Sequence, residues 1–160
     1  MCHAQPSRPR SAAEGVARAA GKELSDRVWR HSLMRRVKSG AIGFDDAFGE
    51  LCAAARLNDC VLALSEQLNL PEGLVSANFV RPESDRLAIL CRAAGVSDTN
   101  YTVLSKLRLA GINAPEESLP GIVAEYAALD AAQARRAVRI VRLRNAELNE
   151  SQLPEATANR

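Results

Sequence analysis

Residues 51–59 read LCAAARLND and residues 90–98 read LCRAAGVSD, so the second segment repeats the first after 39 residues. The identical pairs, two of them further along, are Leu51/Leu90, Cys52/Cys91, Ala54/Ala93, Ala55/Ala94, Asp59/Asp98, Leu68/Leu107 and Leu70/Leu109. In each copy we expect the string to end one helix, turn, and cap the next helix with its aspartate. A period of about 40 residues is typical of HEAT or armadillo helix pairs. Chance similarity is the alternative, because Ala and Leu are common in this chain.

Two copies are fewer than the roughly three repeats that a solenoid usually needs. The flanking helices must then act as caps, or another chain must cover an open end. The repeat therefore also predicts a surface for self-association.

Capping residues and apolar periodicity predict eight helices and no strand. Asp26, Asp59 and Asp130 mark helix starts, while Asn69 and Gly95 mark helix ends. The predicted helices span residues 26–38, 44–57, 59–69, 71–80, 83–94, 97–110, 118–129 and 130–148. The links between them are short, so neighbouring helices should be antiparallel. We therefore predict an all-α fold, in which antiparallel helical hairpins stack as a short HEAT-like repeat bundle with no sheet.

The chain of 160 residues allows one domain with its own core. We predict a flexible N-terminal tail at residues 1–25, a helical domain at 26–148 and a flexible C-terminal tail at 149–160. No stretch approaches the roughly 18 apolar residues of a membrane span, and residues 1–25 lack the apolar core of a secretory signal. With no cysteine pair at zinc or redox spacing either, we expect a cytoplasmic protein with reduced thiols.

Three pieces of sequence carry a family resemblance. They are VKSGAIGFDDAFGELCAAA at residues 37–55, LALSEQLNLPEGLV at 62–75 and DRLAILCRAAGVSD at 85–98. Residues 33–109, about half of the chain, resemble the C-terminal part of a bacterial helical-repeat family known as domain of unknown function 2336. The usual upstream repeats of that family have no counterpart here. The resemblance implies a helical-repeat fold and a bacterial origin, and it implies no catalytic residue because the family has no assigned activity.

Catalytic residues are not predicted. The chain has two histidines, His3 in the predicted tail and His31 on the first helix. His31 is adjacent to Ser32, and adjacent residues on a helix do not face each other. Without a carboxylate placed to orient the imidazole, we interpret His31 as a surface residue and the protein as no enzyme.

Cofactor and metal sites are not predicted either. Cys52 and Cys91 occupy matching repeat positions, which favours burial between helices over metal binding. Cys60 follows Asp59 near a predicted helix start, so a reactive thiol is an alternative to a packed one. No glycine-rich phosphate loop is present, and Asp45-Asp46 suit the dipole at a helix start better than a metal.

Residues 65–80, SEQLNLPEGLVSANFV, partly match a helix-turn-helix. However, Asn69 occupies the turn position where glycine is usual, and the second helix has no Lys or Arg and begins with Glu72. Among its residues only Asn78 could donate to a base edge. A DNA-associated regulator that uses this element is therefore the alternative function.

Charge is strongly segregated along the chain. Residues 1–43 carry a net charge of +6, residues 44–130 carry −7, and residues 131–160 carry +3. In the last helix Arg135, Arg139 and Arg142 share one face, opposite an apolar stripe. Arg35 and Arg36 form a second basic cluster on the first helix. Three interpretations compete: a solvated or internally paired face, a surface for an acidic protein or a second copy of the chain, and a surface for nucleic acid or an anionic membrane.

We therefore predict a non-enzymatic macromolecular interaction module with a basic face. Its partner is a protein, acidic in charge or a second copy of the chain, and nucleic acid ranks below protein. The predicted binding residues are Arg135, Arg139 and Arg142 first, then Arg35 and Arg36.

Overall fold

The computed structural model describes residues 12–151, which form eight α-helices, one 3₁₀ turn and no strand. The all-α prediction is therefore confirmed over this range. The helices are α1 (Ala12–Lys38), α2 (Phe44–Ala53), α3 (Leu57–Leu68), α4 (Glu72–Val80), α5 (Asp85–Ala94), α6 (Asp98–Gly111), α7 (Leu119–Ala128) and α8 (Ala131–Ser151), with the 3₁₀ turn at Glu116–Ser118.

Several helix ends follow local rules that the sequence reveals. Asn69 ends α3 and Gly95 ends α5, each in the left-handed conformation that halts a helix. At the start of α6 the Ser97 hydroxyl accepts a hydrogen bond from the Asn100 amide, and before α8 the Asp130 carboxylate accepts one from the Gln133 amide at 2.7 Å. These positions confirm the predicted helix ends, but the prediction that Asp98 caps α6 is wrong, because Ser97 is its N-cap and Asp98 its first residue.

The prediction that Asp26 starts the first helix is wrong, because α1 begins at Ala12. Residues 12–25, assigned to a tail, are therefore helical, and all those from 15 to 25 are exposed. At the other end α8 continues to Ser151, beyond residue 148. The rest of both predicted tails, with His3, lies outside the described residues.

The predicted boundary between the second and third helices is also wrong. Ala55 adopts a left-handed conformation, with a φ of 54°, so α2 ends at Ala53. Helix α3 then starts at Leu57, and Arg56, not Asp59, occupies its N-cap position. Asp59 lies inside the first turn of α3, where its carboxylate forms ion pairs with Arg30 and Arg56.

The core consists of small and branched apolar side chains. Its fully buried members include Ala47, Phe48, Leu51, Cys60, Leu64 and Leu104. Cys52 and Cys91 are 2% and 0% exposed, which confirms that both thiols pack between helices. On α8 only Ala134 and Val138 are fully buried, and they attach that helix to the core.

Helix contacts follow chain order only in part. Neighbours α2 and α3, α3 and α4, and α6 and α7 pack together. However, α5 packs most extensively against α8. Helix α2 packs against α6 as extensively as it packs against its neighbour α3. At that crossing a Cβ added to Gly49 would lie 2.9 Å from the Asn100 side chain, so glycine permits the close approach. Contacts between distant helices build a bundle, and stacked repeats remain an interpretation.

Candidate functional site

The three predicted arginines of α8 all lie on the protein surface. Arg135, Arg139 and Arg142 are exposed, while Ala134 and Val138 of the same helix are buried. Helix α8 therefore has an apolar side toward the core and a basic side toward solvent, as its periodicity predicts.

Arg139 and Arg142 line a groove of about 620 Å³ between α8 and the turn that joins α3 to α4. We call it the α8 groove. Its apolar wall residues are Leu70 and Pro71 from the turn, and Leu143 and Ala146 from α8. Arg135 does not line the groove. The structure thus combines two cations with an apolar surface, which sequence periodicity alone does not reveal.

The turn on the far side of this groove is held by local hydrogen bonds. Asn69 has a φ of 51°, which reverses the chain after α3. The Ser65 hydroxyl donates to the Leu70 carbonyl at 2.6 Å, and the Leu70 side chain is buried. Pro71 then occupies the N-cap position of α4. This wall of the groove is therefore a fixed part of the fold.

No acidic side chain of the described residues neutralises the arginines of the α8 groove. Seven ion pairs form among residues 12–151, and none includes Arg35, Arg36 or an arginine of α8. The pairs are Arg27–Glu23, Arg30–Asp59, Lys38–Glu66, Arg56–Asp26, Arg56–Asp59, Arg92–Asp98 and Lys106–Glu116. Within this range, internal ion pairs therefore engage Arg30 and Lys38 of α1 but none of the five predicted binding arginines, for which a solvated face stays an interpretation.

Arg35 lines a second groove, of about 630 Å³, beside Val28, Met34 and Glu66. Arg36 is exposed and does not line it; its carbonyl accepts the Ala41 amide at 2.9 Å.

The two grooves meet at one end of α3. Glu66 lines the groove that holds Arg35, and Asn69 lines the α8 groove. The Asn69 amide donates to the Glu66 carbonyl, so both residues belong to the last turn of α3. Arg35 and the arginines of the α8 groove therefore line two grooves that both adjoin the end of α3.

A charged network that the sequence analysis missed joins α1 to α3. Arg30 and Arg56 both contact the Asp59 carboxylate, at 3.0 and 2.5 Å. Arg56 also pairs with Asp26 and lies over the Trp29 ring, 4.7 Å from its centroid. Only the spacing of Arg56 and Asp59 hinted at this cluster. A groove of about 630 Å³ adjoins it, but its charges already pair with each other.

The Cys60 thiol is not placed for reactivity. It is fully buried, with its Sγ 3.8 Å from the Cys52 Sγ. The hydrogen bond with Cys52, and then burial, raise the pKa of Cys60 well above its ordinary value. A buried, protonated thiol is a poor nucleophile and a poor metal ligand, which favours the packed interpretation.

Asp45 has a structural role at the start of α2. Its carboxylate accepts hydrogen bonds from the Ser97 amide and the Asn100 side chain, both at 2.8 Å. These bonds tie α2 to the start of α6, so the carboxylate is engaged. Within residues 12–151, no three His, Cys, Asp or Glu side chains converge as metal ligands would.

The helix-turn-helix element at residues 65–80 does not present its one candidate base-reading group. Asn78 is buried, and its amide nitrogen donates to the Leu74 carbonyl at 2.7 Å. Glu72, at the start of α4, is exposed and negative. Neither residue can donate to a base or a phosphate from this position.

Across residues 12–151, no helix is both long enough and apolar enough to cross a membrane. No family model matches the chain, and neither a curated protein nor a solved structure shows detectable similarity to it.

Proposed function

We propose that this chain is a non-enzymatic protein-binding module, and that its α8 groove binds an acidic, partly apolar segment of a partner protein. The observation that carries this proposal is the position of Arg139 and Arg142, which are exposed, form no ion pair within residues 12–151 and lie beside apolar side chains.

The groove's chemistry defines the segment that it would take. Arg139 and Arg142 are three residues apart on one helix face, so two guanidinium groups point into the same space. Each can form a two-pronged hydrogen bond with a carboxylate. Pro71 and Leu143, which are exposed, offer apolar surface beside them. A short stretch with Asp or Glu next to an aliphatic residue satisfies both requirements.

Protein is favoured over nucleic acid by the turn and by α4. The far wall of the groove consists of Asn69, Leu70 and Pro71 and carries no cation, and α4, which follows it, has no basic residue. Nucleic-acid surfaces usually extend a basic stripe over several phosphates. Arginine alone does not distinguish a phosphate from a carboxylate, so DNA enters the test as a competing probe.

The proposal also covers the cellular location of the protein and its association with a second copy. Following the family resemblance of residues 33–109, it places the module in the bacterial cytoplasm and among helical-repeat proteins. The negative net charge of residues 44–130 also makes a second copy of the chain a suitable acidic partner.

The test is a fluorescence binding assay on an array of 12-residue peptides in which Asp or Glu is combined with Leu, Ile or Phe. The wild-type chain is compared with Arg139→Glu and with the matched control Arg144→Glu, which reverses an exposed charge on α8 outside the groove. We expect Arg139→Glu to weaken the best peptides at least about tenfold, or about 1.4 kcal/mol, and Arg144→Glu to weaken them far less.

An equal loss of peptide affinity in both variants would show that only the overall charge of the protein matters, and would contradict binding in the α8 groove. Tighter binding of a 20-base-pair DNA duplex than of any peptide would favour the nucleic-acid alternative. Sedimentation tests for self-association. A wild-type dimer that dissociates in Arg139→Glu but not in Arg144→Glu would identify the partner as a second copy of the chain.

A further inference from the structure

A small cavity of about 260 Å³, open to solvent on one side, lies between the start of α3, the end of α4 and the end of α6. We call it the Arg108 cavity. Its lining includes Leu57, Val61, Phe79, Val80 and Ile112, with the Arg108 side chain among them. It adjoins the opposite end of α3 from the α8 groove, so it is separate from the proposed protein-binding surface.

Arg108 is the largest fully buried side chain of the described residues, at 2% exposed. Its Nε donates to the Phe79 carbonyl at 3.1 Å. Its Nη2 contacts the carbonyls of Arg81, Pro82 and Glu83, the last two at 3.2 and 3.1 Å. All four acceptors are main-chain oxygens at and beyond the end of α4, and none of these bonds uses Nη1.

The charge of Arg108 has no anionic partner in the described part of the chain. No carboxylate there lies within ion-pair distance of it. Burial lowers the pKa of Arg108 from its ordinary value, yet a guanidinium stays protonated in proteins. The charge of Glu83 acts on Arg108 from beyond ion-pair distance, so this buried cation, whose hydrogen bonds all go to carbonyl oxygens, keeps an attraction for a closer anion.

We propose that the Arg108 cavity binds the carboxylate end of a small apolar acid, with Arg108 as its counter-ion. The apolar walls bury the hydrocarbon part, and Nη1 is left to receive the carboxylate. The volume equals that of roughly nine water molecules, which matches a carboxylic acid of six to eight carbons. The last residue of a protein, if apolar, presents the same chemistry.

Val80 marks the mouth of the cavity. It lines the cavity and is 70% exposed, so a larger side chain at this position can close the entrance without replacing any atom that bonds to Arg108. Val16 on α1 is also 70% exposed and does not line the cavity. Val80→Trp and Val16→Trp are therefore a matched pair of variants.

The experiment measures binding of sodium hexanoate by calorimetry at constant ionic strength, with 1-hexanol and hexylammonium as probes of equal length. We expect saturable hexanoate binding in the millimolar range or tighter, at least about tenfold stronger than that of hexanol. Val80→Trp should lose at least about tenfold in affinity, whereas Val16→Trp should bind hexanoate as the wild type does. Thermal unfolding should show the same order, because a ligand of the folded state raises its Tm.

A peptide that ends in a free isoleucine carboxylate, compared with its amidated form, tests the second source of the same chemistry. Carboxylate-dependent binding of either hexanoate or this peptide, lost in Val80→Trp, supports the proposal. Equal binding of hexanol and hexanoate, unchanged binding in Val80→Trp, or no saturation by either acid up to about 20 mM would overturn it. Arg108→Gln is informative only if it folds, so the Val80 variant carries the test.

Discussion

Arg30 Nη1 lies 3.0 Å from Asp59 Oδ1 and thereby joins α1 to α3. The same carboxylate receives Arg56, and little of either contact is open to solvent. Helix α1 packs on the rest of the bundle mainly through α2, and the Arg30–Asp59 and Lys38–Glu66 ion pairs attach it to α3 as well.

Replacing this carboxylate by an amide should destabilise the protein. Asp59→Asn leaves two arginines facing a neutral group in a mostly buried position, and we expect a loss of about 2–3 kcal/mol in the free energy of unfolding, measured with urea. Glu117→Gln, at an exposed residue outside the described ion pairs, should change it by less than about 0.5 kcal/mol. A loss for Asp59→Asn no larger than for this control would show that the network contributes nothing.

Two stacked tyrosines should respond in opposite ways to loss of their hydroxyls. Tyr126 donates its hydroxyl to the Val96 carbonyl at 2.6 Å, so Tyr126→Phe should cost about 1 kcal/mol or more. Tyr101 is stacked on it with ring centroids 3.7 Å apart, and its buried hydroxyl lies near Ser105 without a hydrogen bond of good geometry among the described residues. Tyr101→Phe should therefore be neutral or stabilising in the same urea measurement. The reverse order would contradict this assignment.

The stability should also fall at alkaline pH because of these rings. Burial raises the pKa of Tyr101 to about 12, and it raises the pKa of Tyr126 further. In the unfolded chain both tyrosines ionise near pH 10. Their contribution to the free energy of unfolding is therefore full below about pH 10 and is lost as the pH rises towards about 12. Each tyrosine can lower the free energy of unfolding by up to about 1.4 kcal/mol per pH unit there. Urea midpoints between about pH 9 and 11 should fall less steeply in Tyr101→Phe; an identical slope would exclude a role for Tyr101.

The basic residues of the α8 groove should contribute little to stability. Arg139 and Arg142 are exposed and form no ion pair within residues 12–151. The double variant Arg139→Glu/Arg142→Glu should therefore unfold within about 0.5 kcal/mol of the wild type. A large loss would mean that these arginines hold the fold together, and the binding proposal would lose its support.

The buried thiols should resist modification in the folded protein. Cys52, Cys60 and Cys91 are each at most 2% exposed, and the pKa values of Cys60 and Cys91 are raised. In a Cys2→Ser background we expect Ellman's reagent to find no reactive thiol until denaturant is added, and three thereafter. Labelling at the rate of a free thiol under native conditions would contradict the buried cluster.

Features set by a few neighbouring residues were predictable from the sequence. Ser97 and Asp130 cap the helices that follow them, and Asn69 and Gly95 end the helices before them. Each depends on the geometry of one turn and needs no tertiary contact. The basic face of α8 was predictable for the same reason, since it follows from helical periodicity.

Features that depend on distant residues were not predictable. Asp59 has the chemistry of a helix cap, but Arg30, which lies 29 positions away, binds its carboxylate. From the sequence, Arg108 is only one of the basic residues in the acidic region 44–130. Its burial depends on hydrogen bonds to main-chain carbonyls at and after the end of α4. The apolar wall of the α8 groove likewise requires Leu70 and Pro71 to pack beside a helix that begins sixty residues later. No local pattern contains these relationships.

The twelve residues of α3 separate the two proposed sites by about 18 Å, at 1.5 Å per residue. A small acid held at one end does not reach the groove at the other, so a single copy has room for an acid and a partner segment at once. Binding of a small acid and binding of a partner protein would then be independent events, unless a rigid-body movement of α3 couples the two sites.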